Sequence, residues 1–166
     1  MGATLSCQQP FYWMSLQTAI ACIGTDWRPP RQVQELAQRH RLSLSAEEID
    51  RLMAMVSGHP YLVRVALYEL GRDRIALPRL LQVAPTEEGP YDDHLRRHLL
   101  NLKAAGLEGA IATVIASPQP IQIAAEDAFQ LRSRGLVKFQ GNTVVPLCNL
   151  YRLYFRDRLQ TSHQPE

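Results

Sequence analysis

Apolar residues recur at helical spacing along most of the chain from Arg31 onward. Val33, Leu36 and Ala37 share one face of a helix predicted over about 30–40. Ser45 followed by Glu48 is a capping box, and Ile49, Leu52, Met53 and Val56 continue it as a second helix over about 46–57. Tyr61, Leu62, Val65, Ala66 and Leu70 mark a third helix over about 60–70, closed by Gly71. Leu77, Leu80 and Leu81 mark a short fourth, over about 77–83. Helices this short are marginal alone, so these four are expected to pack as a small bundle.

The pattern then breaks. Val83 to Pro90 is rich in Pro, Gly and Thr and reads as a loop, with residues 84–90 as a linker. Pro90 opens a long helix from Tyr91 to about Ala105, with Asp92 and Asp93 in its first turn, where the helix dipole favours acids. Gly106 stops it, and Glu108–Ala116 makes another helix. Pro118 and Pro120 flank a short extended piece at Ile121–Ile123, and Ala125 to Arg134 is helical, ended by Gly135. Leu136–Phe139 and Thr143–Pro146 are β-prone runs joined through Gln140-Gly141-Asn142, a hairpin signal. Leu147 to Leu159 is a closing helix. Helix, helix, short strand, helix, two-stranded hairpin is the winged-helix order.

The expected fold is therefore mainly α: a helical bundle over 31–83, then a winged-helix module over 91–160 with a two-stranded β-hairpin wing. A parallel sheet has no place in it. Residues 1–30 show neither a 3.6-residue period nor alternation and read as an irregular lead-in, with a short strand or helix around Ser15–Cys22 as the alternative. Residues 161–166 are a polar tail.

Composition adds exclusions. Of 166 residues, 46% are apolar, enough for a core, and 18 basic against 16 acidic residues leave +2, too little to argue for nucleic acid. Cys7, Cys22 and Cys148 are scattered without a C-x-x-C pair, which points to a reducing cytoplasm. No run is long and apolar enough for a membrane span, and Phe11–Ile23 lacks the basic flank and cleavage site of a signal peptide.

Candidate chemistry is sparse. A P-loop needs Gly-x-x-x-x-Gly-Lys-Ser/Thr to wrap phosphates, and the sequence has no Gly-Lys pair. No apolar strand ends in a Walker B carboxylate. The chain alone is expected to be no enzyme. His94 and His98 have a spacing that suits a metal, but Arg96 and Arg97 between them oppose a cation. A structural or nucleotide-facing role remains for the pair, and no metal site is expected. Asp92 and Asp93 read as first-turn charges, Cys148 as a small buried side chain, and His40 and His59 as helix-end histidines. Arg132, Arg134 and Lys138 lie where a winged helix would meet DNA, yet Glu126 and Asp127 at that helix's start would repel phosphate. Arg152, Arg156 and Arg158 with Asp157 read as a solvated, ion-paired face.

The most informative stretch is Ser57-Gly58-His59-Pro60-Tyr61-Leu62-Val63. Gly58 suits a helix C′ position and Pro60 the first position of the next helix. The stretch resembles the Gly-Leu-Pro-Leu corner in the helical lid of STAND-type, AAA-like ATPases. Gln34-Glu35-Leu36-Ala37 is similar to the same lid. Ala84-Pro85-Thr86 with Tyr91-Asp92-Asp93-His94-Leu95-Arg96-Arg97-His98-Leu99 resembles the linker and following helix. Gly135-Leu136-Val137 through Leu150-Tyr151-Arg152 and Tyr154-Phe155 resembles the wing and closing helix.

The resemblance, over about Arg31 to Leu159, implies the C-terminal part of such a domain in bacterial signalling proteins, without its P-loop subdomain. It implies a non-catalytic regulatory role, with ATP or ADP sensed only when a P-loop domain is supplied as partner. Gly58, His59 and Pro60 would then form an exposed corner against the nucleotide; the alternative is that Pro60 only sets the angle between two helices. A stand-alone winged-helix DNA-binding regulator is the other functional class. Residues 1–30 match nothing in a P-loop domain. Codons compatible with Gly24–Pro30, read one base later, can spell Glu-Leu-Thr-Gly-Asp-Pro, an ordinary entry to a lid, so a truncated or frameshifted gene is an expectation that its upstream sequence tests.

Overall fold

A computed structural model describes residues 29–160, apart from Asp73. The expectations for residues 1–28 and for the tail at 161–166 lie outside it. Eight helices and one hairpin follow in order: α1 (Pro29–Arg39), α2 (Ala46–Val56), α3 (Pro60–Gly71), α4 (Leu77–Val83), α5 (Asp92–Ala104), α6 (Glu108–Ala116), α7 (Ala125–Ser133), β1 (Val137–Gln140), β2 (Thr143–Pro146) and α8 (Asn149–Gln160). The protein is mainly helical with one small antiparallel sheet among the described residues.

Local chemistry explains most boundaries. The Ser45 side chain accepts from the Glu48 amide at 3.2 Å, and Glu48 accepts from the Ser45 amide at 2.8 Å, so the capping box starts α2 as the sequence predicts. α2 stops at Ser57, whose φ of 49° is left-handed, followed by Gly58 at 69°. The left-handed turn thus begins one residue earlier than Gly58 alone suggested. Pro60 then opens α3.

The linker is a tight turn folded back on α4, not a slack connection. Thr86 donates through its amide (2.9 Å) and hydroxyl (2.8 Å) to the Val83 carbonyl. Gly89 approaches that same carbonyl so closely that a Cβ there would sit 2.2 Å from its oxygen.

In the hairpin, Val137 pairs with Pro146 and Gln140 with Thr143, so the loop is the two residues Gly141-Asn142. Ile121 adds a one-residue antiparallel bridge to Val144, with N–H···O distances of 3.1 and 2.8 Å. The short extended piece expected at Ile121–Ile123 therefore edges the sheet through Ile121.

α8 is the element that ties the molecule together. It packs on α6, α2, α5 and β2. Its Leu150, Tyr151, Tyr154 and Phe155 are buried. One hydrophobic core runs from Val33 in α1 through Leu62 and Leu67 in α3 to Leu131, Val144 and Phe155. The core does not break at the linker. No described helix is long and apolar enough to cross a membrane.

Candidate functional site: a histidine and tyrosine cluster over the helix corner

The α2–α3 corner is held by its own backbone. The His59 amide donates to Val56 O at 3.0 Å, and Val63 N donates to His59 O at 3.0 Å. His59 occupies the N-cap of α3 in an extended conformation, without a side-chain cap bond. Gly58, His59 and Pro60 are all buried. This overturns the exposed corner expected from the sequence. The physical reason is that α5 and α8 bring aromatic side chains down over it.

Tyr91, at the start of α5, donates its hydroxyl to the Leu62 carbonyl of α3 at 3.0 Å and is buried. One helical turn on, His94 reaches the corner: its ring lies 4.9 Å from Tyr61 and 6.3 Å from His59. His98 sits edge-on to His94 at 4.5 Å. From α8, Tyr151 Oη lies 2.8 Å from His94 Nε2, its ring stacked on His94 at 5.9 Å. The imidazole tautomer decides which of the two donates. Three elements distant in sequence thus meet at one cluster of His59, Tyr61, His94, His98 and Tyr151.

Its electrostatics follow from burial. Burial pushes the His59 imidazole down to about 4. Burial also takes His94 down to about 3, aided by the positive charge that His98, His59 and Arg97 would place beside it. His98 falls to about 4, again by burial and then by His59. All three are neutral at pH 7. Burial raises the phenols of Tyr91 and Tyr151, and lifts the Cys148 thiol to about 12. Among the described residues, His59 Nδ1 is the buried side-chain atom with no hydrogen-bond partner.

The cluster is a neutral, aromatic joint. No three His, Cys, Asp or Glu side chains among the described residues converge to hold a metal ion. His94 and Tyr61 are only half-buried, so the cluster has an outer rim at the surface. An open cleft of about 230 Å³ lies elsewhere, between the end of α2, the hairpin and the start of α8, with Lys138 and Arg152 in its wall.

A second junction secures the linker. Glu87 accepts from Arg96 of α5 at 2.9 Å and from Tyr154 Oη at 3.0 Å, and pairs with Arg158 of α8 at 2.9 Å. Arg96 also lies 3.6 Å from Asp92 and 3.7 Å from Asp93, so the two first-turn acids are paired charges. The arginines of α8 divide. Arg156 and Arg158 lie on an ion-paired face as read from the sequence. Arg152 instead turns inward and donates to the carbonyls of Ile115 (3.2 Å) and Ser117 (2.9 Å), ending α6.

The sequence singled out the corner with Tyr61 beside it, His94 and His98, but gave no role to Tyr151 or Glu87. Nothing local marks those two; only the packing of α5 and α8 brings them into play.

A family model described as an AAA-like domain matches residues 27–157. Comparison with curated proteins and with solved structures gives no match. The matched span takes in both the corner and the α8 side chains that cover it, and the chain belongs to the AAA-like domain family.

Proposed function

We propose that this chain is the helical-lid and winged-helix part of a STAND-type, AAA-like ATPase, acting as a regulatory piece with no catalysis of its own. In this reading residues 31–83 are the lid and 91–160 the winged helix. The observation that carries it is the cluster over the corner. Gly58, His59 and Pro60 are buried, Tyr91 donates across the joint to Leu62 O of the lid at 3.0 Å, and His94, held at 2.8 Å by Tyr151, lies against Tyr61 and His59. A nucleotide held by a P-loop domain would meet only the rim formed by Tyr61, His94 and His98. The corner residues themselves set the angle between α2 and α3, on which the second unit packs. ATP or ADP becomes relevant only when a P-loop domain is supplied, since no Gly-x-x-x-x-Gly-Lys-Ser/Thr motif is present.

DNA reading through α7 is the weaker alternative, because exposed Glu126 stands where phosphate would lie. The test is a fusion of a P-loop domain of this family to the chain, with and without Pro60→Ala. The joint reading expects lower thermal stability with unchanged nucleotide affinity. Lost affinity at unchanged stability would mean that the corner contacts nucleotide directly.

A further inference from the structure

α7 has two distinct faces. Ala128 and Leu131 enter the core. The opposite face exposes Glu126, Phe129 and Arg132. Phe129 is 61% exposed. Its ring lies 5.7 Å from Phe139 of β1, and the Arg132 guanidinium carbon sits 5.4 Å from the centre of that same Phe139 ring. The exposed aromatic is therefore braced by its neighbours. Neither Glu126 nor Arg132 joins an ion pair among the described residues.

The order along this face is acid, aromatic, base at positions i, i+3 and i+6. The charges are opposite in sign and stand about 4.5 Å along the axis on either side of Phe129. A face built this way is complementary to itself. With the two helices crossing steeply, so that their slanted i, i+3, i+6 ridges superpose, a two-fold axis at Phe129 lays each acid against the other copy's base and brings the two aromatic rings together at the centre.

We infer that α7 is a self-association surface: it pairs with α7 of a second copy of this chain, with Phe129 on the axis and each Glu126 facing the other copy's Arg132. A nine-residue helix face belongs with small, transient interfaces. The dimer is accordingly weak, with a dissociation constant on the order of 0.1 mM.

The test is sedimentation velocity of the full chain under reducing conditions, from ~0.01 to ~1 mM. The variants are Glu126→Arg, Arg132→Glu, the double exchange and Phe129→Ser, with circular dichroism to confirm folding. All three side chains are exposed, so the fold should survive. Wild type should dimerise with concentration. Each single reversal places like charges opposite one another and should weaken the dimer about tenfold or more. The double exchange should restore it, and Phe129→Ser should abolish it. A wild type that stays monomeric throughout overturns the inference. So does a dimer that ignores the single reversals or is not rescued by the double exchange. Salt-sensitive binding of duplex DNA by a monomeric wild type, lost in Phe129→Ser, would assign the face to nucleic acid instead and also overturn it.

Discussion

Mild acid should loosen this fold well above the pH at which carboxylates protonate. His59, His94 and His98 are held at about 4, 3 and 4, against an ordinary 6.5. Each binds a proton on unfolding that it refuses when folded. Their contribution to stability is complete above the unfolded value of 6.5 and is lost as pH falls toward 4. One such histidine costs about 1.4 kcal/mol per pH unit in that window. Three would give about 4 kcal/mol per unit, and water reaching half-buried His94 and His98 brings the expected slope to about 2–3. Glu48 and Glu87 are also lowered, but from 4.5, so the carboxylate loss lies below the histidine window. Against a total of about 5–15 kcal/mol for a domain, a drop from about pH 6.5 to about pH 5 removes a large share. Urea denaturation across this range reads the slope directly. His98→Leu, with one titrating ring fewer, should flatten it by about a third. Stability that stays level between about pH 7 and about pH 5 would mean that the fold does not hold these imidazoles neutral, as would imidazole resonances of these residues titrating at their ordinary value.

Further expectations concern the frame around the cluster. Gly89→Ala places a methyl 2.2 Å from the Val83 carbonyl and should cost about 3 kcal/mol, read as a fall in thermal midpoint. Tyr91→Phe removes the 3.0 Å bond to Leu62 O and should cost about 1 kcal/mol, since that carbonyl keeps its helix partner. Cys148, buried with its thiol pushed up to about 12, should resist alkylation at about pH 8 until the chain unfolds, which peptide mapping can follow separately from Cys7 and Cys22.

What the sequence revealed and what it hid divide along contact range. α4 and α6 fall at the residues that local pattern predicts, because leucine spacing and turn residues act within one helix. The Ser45–Glu48 cap was legible for the same reason. The hairpin was legible too, though its loop is one residue shorter than the turn signal implied. Burial of the corner was not legible. Gly58 and Pro60 look like a surface turn until Tyr91, His94 and Tyr151 arrive from 30 to 90 positions later in the chain, and no local periodicity encodes that arrival. Glu87 reads as a loop acid for the same reason. Its partners Arg96 and Arg158 are on two other helices. Arg152 misled in the opposite sense: Arg156 and Arg158 on the same helix are solvated, and only the open end of α6 draws Arg152 inward.

In the proposed role this chain regulates a nucleotide-binding domain without binding nucleotide on its own. Isothermal titration of ATP and ADP tests it most directly, using the chain alone, a P-loop domain of the family alone, and the two together. No heat of binding to the chain alone is expected. The affinity of the pair should differ by about fivefold or more from that of the P-loop domain, as coupling of about 1 kcal/mol or more requires. Saturable binding to the chain alone, or an affinity unchanged when the two proteins demonstrably associate, would contradict it.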